Sequence, residues 1–286
     1  MHPRVSPDAR RLAVGIVSSQ QADVWVYDLD GASAIRRLTL QGRNQHPVWS
    51  ADSQRVAFQS DREGDLGIFW QRADGSGAPE RLTTAPKGAA HVPESWAPDG
   101  QHLLFSEVNA GSHVLLSLSV SDKSTAPFGN VRSLRPINAV FSPDGRWVAY
   151  TTVPVGAGTL SPDGGVFVQP FPATGARFQV PKTNIDYHPA WARDGKELFY
   201  TPGGSRPLVA VGVQTQPQVT FTSPVNLPDA SRWSMLSAEA RGYDTLPGGR
   251  FLGMTRPGEA DSVAVEPGLH VVVNWMEELK RLVPAR

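Results

Sequence analysis

One recurring unit constrains the fold of this chain more than any other feature. A large apolar residue is followed by two small residues or Pro, then Asp, often Gly, then a polar residue and an apolar run. It reads Val5-Ser6-Pro7-Asp8, Trp49-Ser50-Ala51-Asp52, Trp96-Ala97-Pro98-Asp99-Gly100, Phe141-Ser142-Pro143-Asp144-Gly145 and Trp191-Ala192-Arg193-Asp194-Gly195. A degenerate sixth copy is Thr245-Leu246-Pro247-Gly248-Gly249. The spacing averages about 48 residues, which is the length of one supersecondary unit in a repeat protein.

Each copy leads into β-rich runs. Arg55-Val56-Ala57-Phe58, His102-Leu103-Leu104-Phe105, Trp147-Val148-Ala149-Tyr150 and Glu197-Leu198-Phe199-Tyr200 follow the turn, and a further run such as Val24-Trp25-Val26-Tyr27 comes next. A Gly-containing turn then precedes a short last strand ending in Arg37-Leu38-Thr39 or Arg81-Leu82-Thr83. Four short strands per repeat predict a propeller blade, and six blades close a ring around a channel. The expectation is an all-β, six-bladed β-propeller of four-stranded antiparallel blades forming a single domain over 1–286. Its blades fall at approximately 2–45, 46–90, 91–135, 136–186, 187–240 and 241–286. The stretch 275–282 alone reads as helical, giving a short C-terminal helix. Gly and Pro, 27 and 25 residues of 286, suit many short elements and exclude a coiled coil.

These residues carry a resemblance. The Trp-Ser-Pro-Asp-Gly-type units, the strand Asp23-Val24-Trp25-Val26-Tyr27 and the Arg-Leu-Thr strand ends look like TolB-type propeller repeats. The closing stretch Val271-Val272-Val273-Asn274-Trp275-Met276-Glu277-Glu278-Leu279 resembles the end of propeller domains fused behind bacterial serine/threonine protein kinases. Two departures stand out. Ala9 and Ser53 replace the Gly after the turn Asp, and the strand that usually precedes the first repeat is missing before His2-Pro3.

Charge and motifs narrow the function. With 27 basic against 27 acidic side chains, the chain is no general polyanion binder, so a nucleic-acid partner is not expected. The absence of cysteine excludes disulfides, thiolate metal sites and a cysteine nucleophile. The first ten residues lack the apolar core of a signal peptide, and the apolar stretch 268–276 is too short to span a bilayer. A cytoplasmic protein with no membrane partner is the expectation. There is no Gly-x-Ser-x-Gly elbow, Walker loop or His-Glu-x-x-His. The repeated aspartates read as turn caps, because Asp before Gly accepts backbone N–H bonds.

One constellation points to chemistry. His2, His46 and His188 each stand six residues before the turn Asp, or before its equivalent, and each precedes Pro. Asn138 fills that slot in the fourth repeat, and His91 lies slightly upstream of it in the third. The slot opens the innermost strand, so these side chains are expected at the channel mouth. The loops between second and third strands bring Asp61, Arg62, Glu63 and Glu107 to that face, and Arg241 arrives on an entering loop. Clustered imidazoles with nearby carboxylates suit zinc or manganese, whose bound water becomes a hydroxide near neutral pH. TolB-like propellers include lyases that hold a metal through channel histidines, so the resemblance permits such a site. His102, His113 and His270 read as structural.

Two functions follow. The first is a metal-dependent hydrolase of esters or phosphate esters, phosphotriesters included, with a small-molecule ester as substrate. His46, His188, His2 and His91 would hold the metal, while Glu63, Asp61 and Glu107 supply a base or orient the ligands and Arg241 stabilises the developing anion. The second is a non-catalytic protein- or ligand-binding propeller, a sensor or scaffold, taking a peptide or protein on its channel face. An exposed edge on the last blade would further permit self-association.

Overall fold

The computed structural model describes residues 2–17, 21–31, 35–154, 161, 163–203, 207–227 and 241–253. Within them the chain is all-β and contains no helix. Strands pair antiparallel with their sequence neighbours and form six sheets. The innermost strands are Pro3–Val5, Asn44–Trp49, Ala89–Trp96, Val140–Phe141, Asp186–Trp191 and Tyr243–Leu246. The first four sheets hold four strands each, the fifth adds Val225–Asn226 as a fifth strand, and the sixth is described over Tyr243–Leu246 and Arg250–Gly253. The stretch 275–282 and the outer part of the last blade, on which self-association was expected, lie outside the described residues, as does His270.

The core is divided among the seams. Six clusters of buried apolar side chains each join one sheet to the next. Val24, Val26, Trp49, Phe58 and Phe69 lock the first sheet to the second. Leu12, Val14 and Val5 pack on Leu246 and Leu252, locking the sixth back onto the first. Each strand alternates which seam its side chains enter, so a two-residue period fills both flanking clusters. Burial of this kind stabilises by about 25 cal/mol per Å² of apolar surface, and here it is divided among the seams of a ring.

Hydrogen bonds between innermost strands add direction to the seams. Trp49 Nε1 donates to the Arg4 carbonyl at 2.8 Å, Thr245 Oγ1 to the Trp191 carbonyl at 3.0 Å, and the Val5 amide to Asp244 Oδ2 at 2.8 Å. The turn aspartates behave as caps. Asp52 Oδ1 accepts from the Gln54 amide and the Ser50 hydroxyl, and Asp144 repeats the pattern with Arg146 and Ser142. The residue after each turn Asp is left-handed, with φ from 58° at Ala9 to 72° at Gly100 and Gly195. Glycine adopts that conformation freely, whereas Ala9 and Ser53 hold it against a Cβ clash.

Candidate functional site

The histidine slot has a backbone cause. In the second sheet Gln45 pairs with Gln59 and Val48 with Ala57, so His46 and Pro47 together face Phe58. In the fifth, Tyr187 pairs with Thr201 and Ala190 with Phe199, so His188 and Pro189 face Tyr200. Two residues opposite one make a β-bulge, which bends an innermost strand at the mouth of the channel. The bulged His46 and His188 are left-handed, with φ 53° and 58°, and Asn138, just before the innermost strand of the fourth sheet, is left-handed as well at 50°. Among residues other than Gly, Asn, Asp and His are enriched in that region. Proline at the next position suits the broken ladder, because it has no N–H to leave unpaired.

The third sheet bulges one residue later. Pro93 pairs with Phe105 and Ser95 with Leu104, which leaves Glu94 as the extra residue and turns it toward the channel. Glu94 and Arg4, the latter from the innermost strand of the first blade, are charged groups at the inner end of the mouth, and the sequence pattern singled out neither. A charged residue inside an innermost strand was the available signal.

The mouth opens into a cavity of about 380 Å³. His2, Arg4, His46, Glu94 and Asn138 line its inner end, and Val108, His113 and Leu134 its rim. Arg4 and Glu94 keep some accessible surface, yet both lie deep, because that surface faces the cavity rather than the exterior. The His2 and His46 rings stand 4.3 Å apart at 52°, within reach because Gly15 has no side chain where a Cβ would come 3.3 Å from Pro47. Burial pushes His46 down to about 4, and the Arg4 charge adds to it. Burial followed by repulsion from His46, Arg4 and His188 pushes His2 down to about 2. Both imidazoles are neutral at physiological pH, and His2 Nδ1 is buried without a partner. Burial lowers Arg4 to about 9, helped by the nearby Arg241 and opposed by Asp244 and Glu94. Burial also raises Glu94 to about 7, although the Ser106 hydroxyl, donating at 2.6 Å, and Arg4 favour its charged form.

The other residues singled out from the sequence are held elsewhere. His91 sits between blades, with Nδ1 2.9 Å from Thr83 Oγ1 and Nε2 3.3 Å from Glu107 Oε2. Burial lowers its pKa more than Glu107 raises it. Glu107 is thereby engaged with His91, and Glu63 accepts from Arg81 Nε at 2.8 Å on an exposed edge. Asp61 accepts the Arg43 amide at 2.7 Å. Arg241 donates to the Pro189 carbonyl at 2.9 Å, the Tyr243 carbonyl at 3.1 Å and Asp244 Oδ1 at 3.0 Å, tying the last two blades together. His188 is buried, and its carbonyl accepts the Tyr243 hydroxyl at 2.6 Å. Among the described residues, no three His, Cys, Asp or Glu side chains group closely enough to hold a metal ion. The described residues therefore do not supply the donor set that zinc or manganese needs.

The bulged innermost strands and capped turns are those of a known repeat. The model of the TolB beta propeller domain matches residues 1–162. The chain belongs to that family. It is 31% identical over 110 residues to the uncharacterized peptidase YuxL of Bacillus subtilis, covering 36% of this chain and 16% of that protein. It is 37% identical over 97 residues to the Tol-Pal system protein TolB of Anaeromyxobacter dehalogenans, covering 34% of this chain and 20% of the relative. The fold of TolB from Acinetobacter baumannii superposes with a TM-score of 0.64 at 19% identity, over 87% of this chain and 59% of that one. The matched stretches span a fifth or less of both curated relatives.

Proposed function

We propose that this protein is a binding propeller of the TolB type, taking a peptide segment or a small ligand at one mouth of its channel without transforming it. The observation that supports this best is the cavity at that mouth. Its volume of about 380 Å³ falls among ordinary ligand sites, and its wall combines Val92, Pro93, Val108 and Leu134 with a few convergent polar groups. A general base must be free to meet a substrate proton. Glu63, Glu107 and Asp61 instead spend their oxygens on Arg81, His91 and the Arg43 amide. A match to a protein of the Tol-Pal system is consistent with a binding role.

The hydrolase reading keeps one observation in its favour, the adjacent neutral imidazoles of His2 and His46. A single experiment separates the two. Peptides selected by display on the wild-type chain should bind it saturably and lose at least tenfold affinity for Leu134→Asp, which places a charge on the exposed rim. A nitrophenyl ester and a phosphotriester, offered with zinc or manganese, should show no turnover above buffer. Turnover that disappears in the His46→Ala/His188→Ala double variant would overturn the binding reading in favour of the metal-dependent one.

A further inference from the structure

The deepest charge in the cavity lacks a counterion. Arg4 uses Nη1 alone for protein hydrogen bonds, to the Pro3 carbonyl at 2.7 Å and the Arg241 carbonyl at 3.1 Å. No ion pair within 4.0 Å joins it to a carboxylate among the described residues. The nearby Asp244 is committed to Arg241 at 3.0 Å and to the Val5 amide. Among the described residues Nε and Nη2 of Arg4 meet no acceptor, although a guanidinium presents its donors as a rigid fork suited to a carboxylate. A buried cation without a partner is costly, so a fixed one that faces a cavity marks where an anion gains most.

We propose that the channel-mouth cavity binds a monoanionic carboxylate on the Arg4 guanidinium, flanked by His2, His46, Asn138 and Glu94. This rests on the binding reading above and names the ligand chemistry for it. The charge count selects the class. At the inner end Arg4 supplies one positive charge, the two imidazoles are neutral, and Glu94 lines the same wall, while the Arg135 charge lies on the exposed, solvated side of the cavity. A phosphate dianion would leave an unmatched negative charge in a desolvated site, whereas a carboxylate is matched. The buried Nδ1 of His2, without a protein partner, is a further polar group beside that position.

Glu94 makes the site sensitive to pH. Facing it are Arg4 from the first blade, the Ser106 hydroxyl from the adjacent strand, and the backbone amides of Asn138 and Ala139 from the next blade. Arg4 in turn faces Arg241, Asp244 and Tyr243. With a pKa of about 7, Glu94 is a neutral acid that donates a hydrogen bond to a carboxylate ligand below that pH and a carboxylate that repels the ligand above it. His2 and His46 stay neutral throughout, and burial holds His113 on the rim below its ordinary value.

The test is calorimetric titration of the full chain with sodium acetate, sodium butyrate and N-acetyl-trialanine at constant ionic strength. Saturable binding is expected at pH 6, and affinity at least tenfold weaker at pH 8. Tighter binding of N-acetyl-trialanine than of butyrate identifies a peptide C-terminus as the source, and the reverse a free small acid. Arg4→Gln should lose at least tenfold at pH 6, and Glu94→Gln should bind equally at both pH values. The proposal is overturned by no saturable binding of any of the three at pH 6, or by a pH dependence in Glu94→Gln equal to the wild type. Should Arg4→Gln fail to fold, the Glu94→Gln comparison decides. Display-selected peptides that bind a folded Arg4→Gln as tightly as the wild type would overturn the carboxylate assignment and leave the binding reading standing.

Discussion

At the scale of single residues, Glu94 and Ala9 show how local cost is tolerated for position. Glu94 has its folded pKa raised from 4.5 to about 7 by burial. Below pH 4.5 both folded and unfolded chains carry the proton, and the group contributes nothing. Between pH 4.5 and 7 the folded chain holds more protons, so its stability falls as pH rises. The loss amounts to about 3 kcal/mol at one pKa unit per 1.36 kcal/mol. Glu94→Gln should therefore gain on the wild type by about 3 kcal/mol between pH 4 and pH 8, measured by denaturant unfolding at each pH; a constant difference across that range would contradict the burial assigned to Glu94. His2 and His46 act in the opposite sense. Their lowered folded values keep the native state neutral, and stability is lost as pH falls below 6.5. Ala9 holds φ 58° with its side chain against the preceding backbone. Ala9→Gly is expected to stabilise by about 1 kcal/mol, read as a higher thermal midpoint, the relief of left-handed strain outweighing the added freedom of the unfolded chain.

At the scale of the strand, the bulge explains what the sequence showed and what it concealed. The repeat, its strands and its capped turns were all legible, because period and turn chemistry are local properties of the chain. The register of His46, Asn138 and His188 was legible too, but its cause was not. A shared position suggested shared ligation, whereas the backbone there demands a left-handed residue that Asn and His both tolerate. Burial around the ring likewise decided which carboxylates are engaged. The Glu107 to His91 contact and the Arg241 to Pro189 contact join residues whose nearness depends on how sheets pack, so spacing could not announce them. Arg4 and Glu94 meet from strands about 90 residues apart for the same reason. His188→Asn should cost less than about 1 kcal/mol, while His188→Val should cost about 2 kcal/mol or more, because a β-branched side chain is poorly accommodated at positive φ. Equal unfolding midpoints for the two variants would count against the bulge as the source of the register.

At the scale of the whole molecule, stability depends on closing the ring. Six apolar clusters carry the seams, and among the described residues the one between the last blade and the first consists of Val5, Leu12, Val14, Leu246 and Leu252. Asp244 reinforces that seam. It accepts the Val5 amide from the first blade and the Thr245 amide and Arg241 guanidinium from its own, while Arg241 reaches back to the fifth blade at Pro189. Removing the carboxylate would leave the buried Arg241 charge without its partner and the Val5 amide without an acceptor. Losing one member of a buried ion pair costs about 3–5 kcal/mol. Asp244→Ala should therefore lower the thermal midpoint by several degrees. The better measurement is where the ring opens first. Hydrogen exchange should rise in the innermost strands Pro3–Val5 and Tyr243–Leu246 well before it rises in Ala89–Trp96, because a ring cut at one seam frays from that seam. A uniform rise across all six sheets would mean that closure is shared equally by every seam, and that Asp244 is one cap among many rather than the clasp.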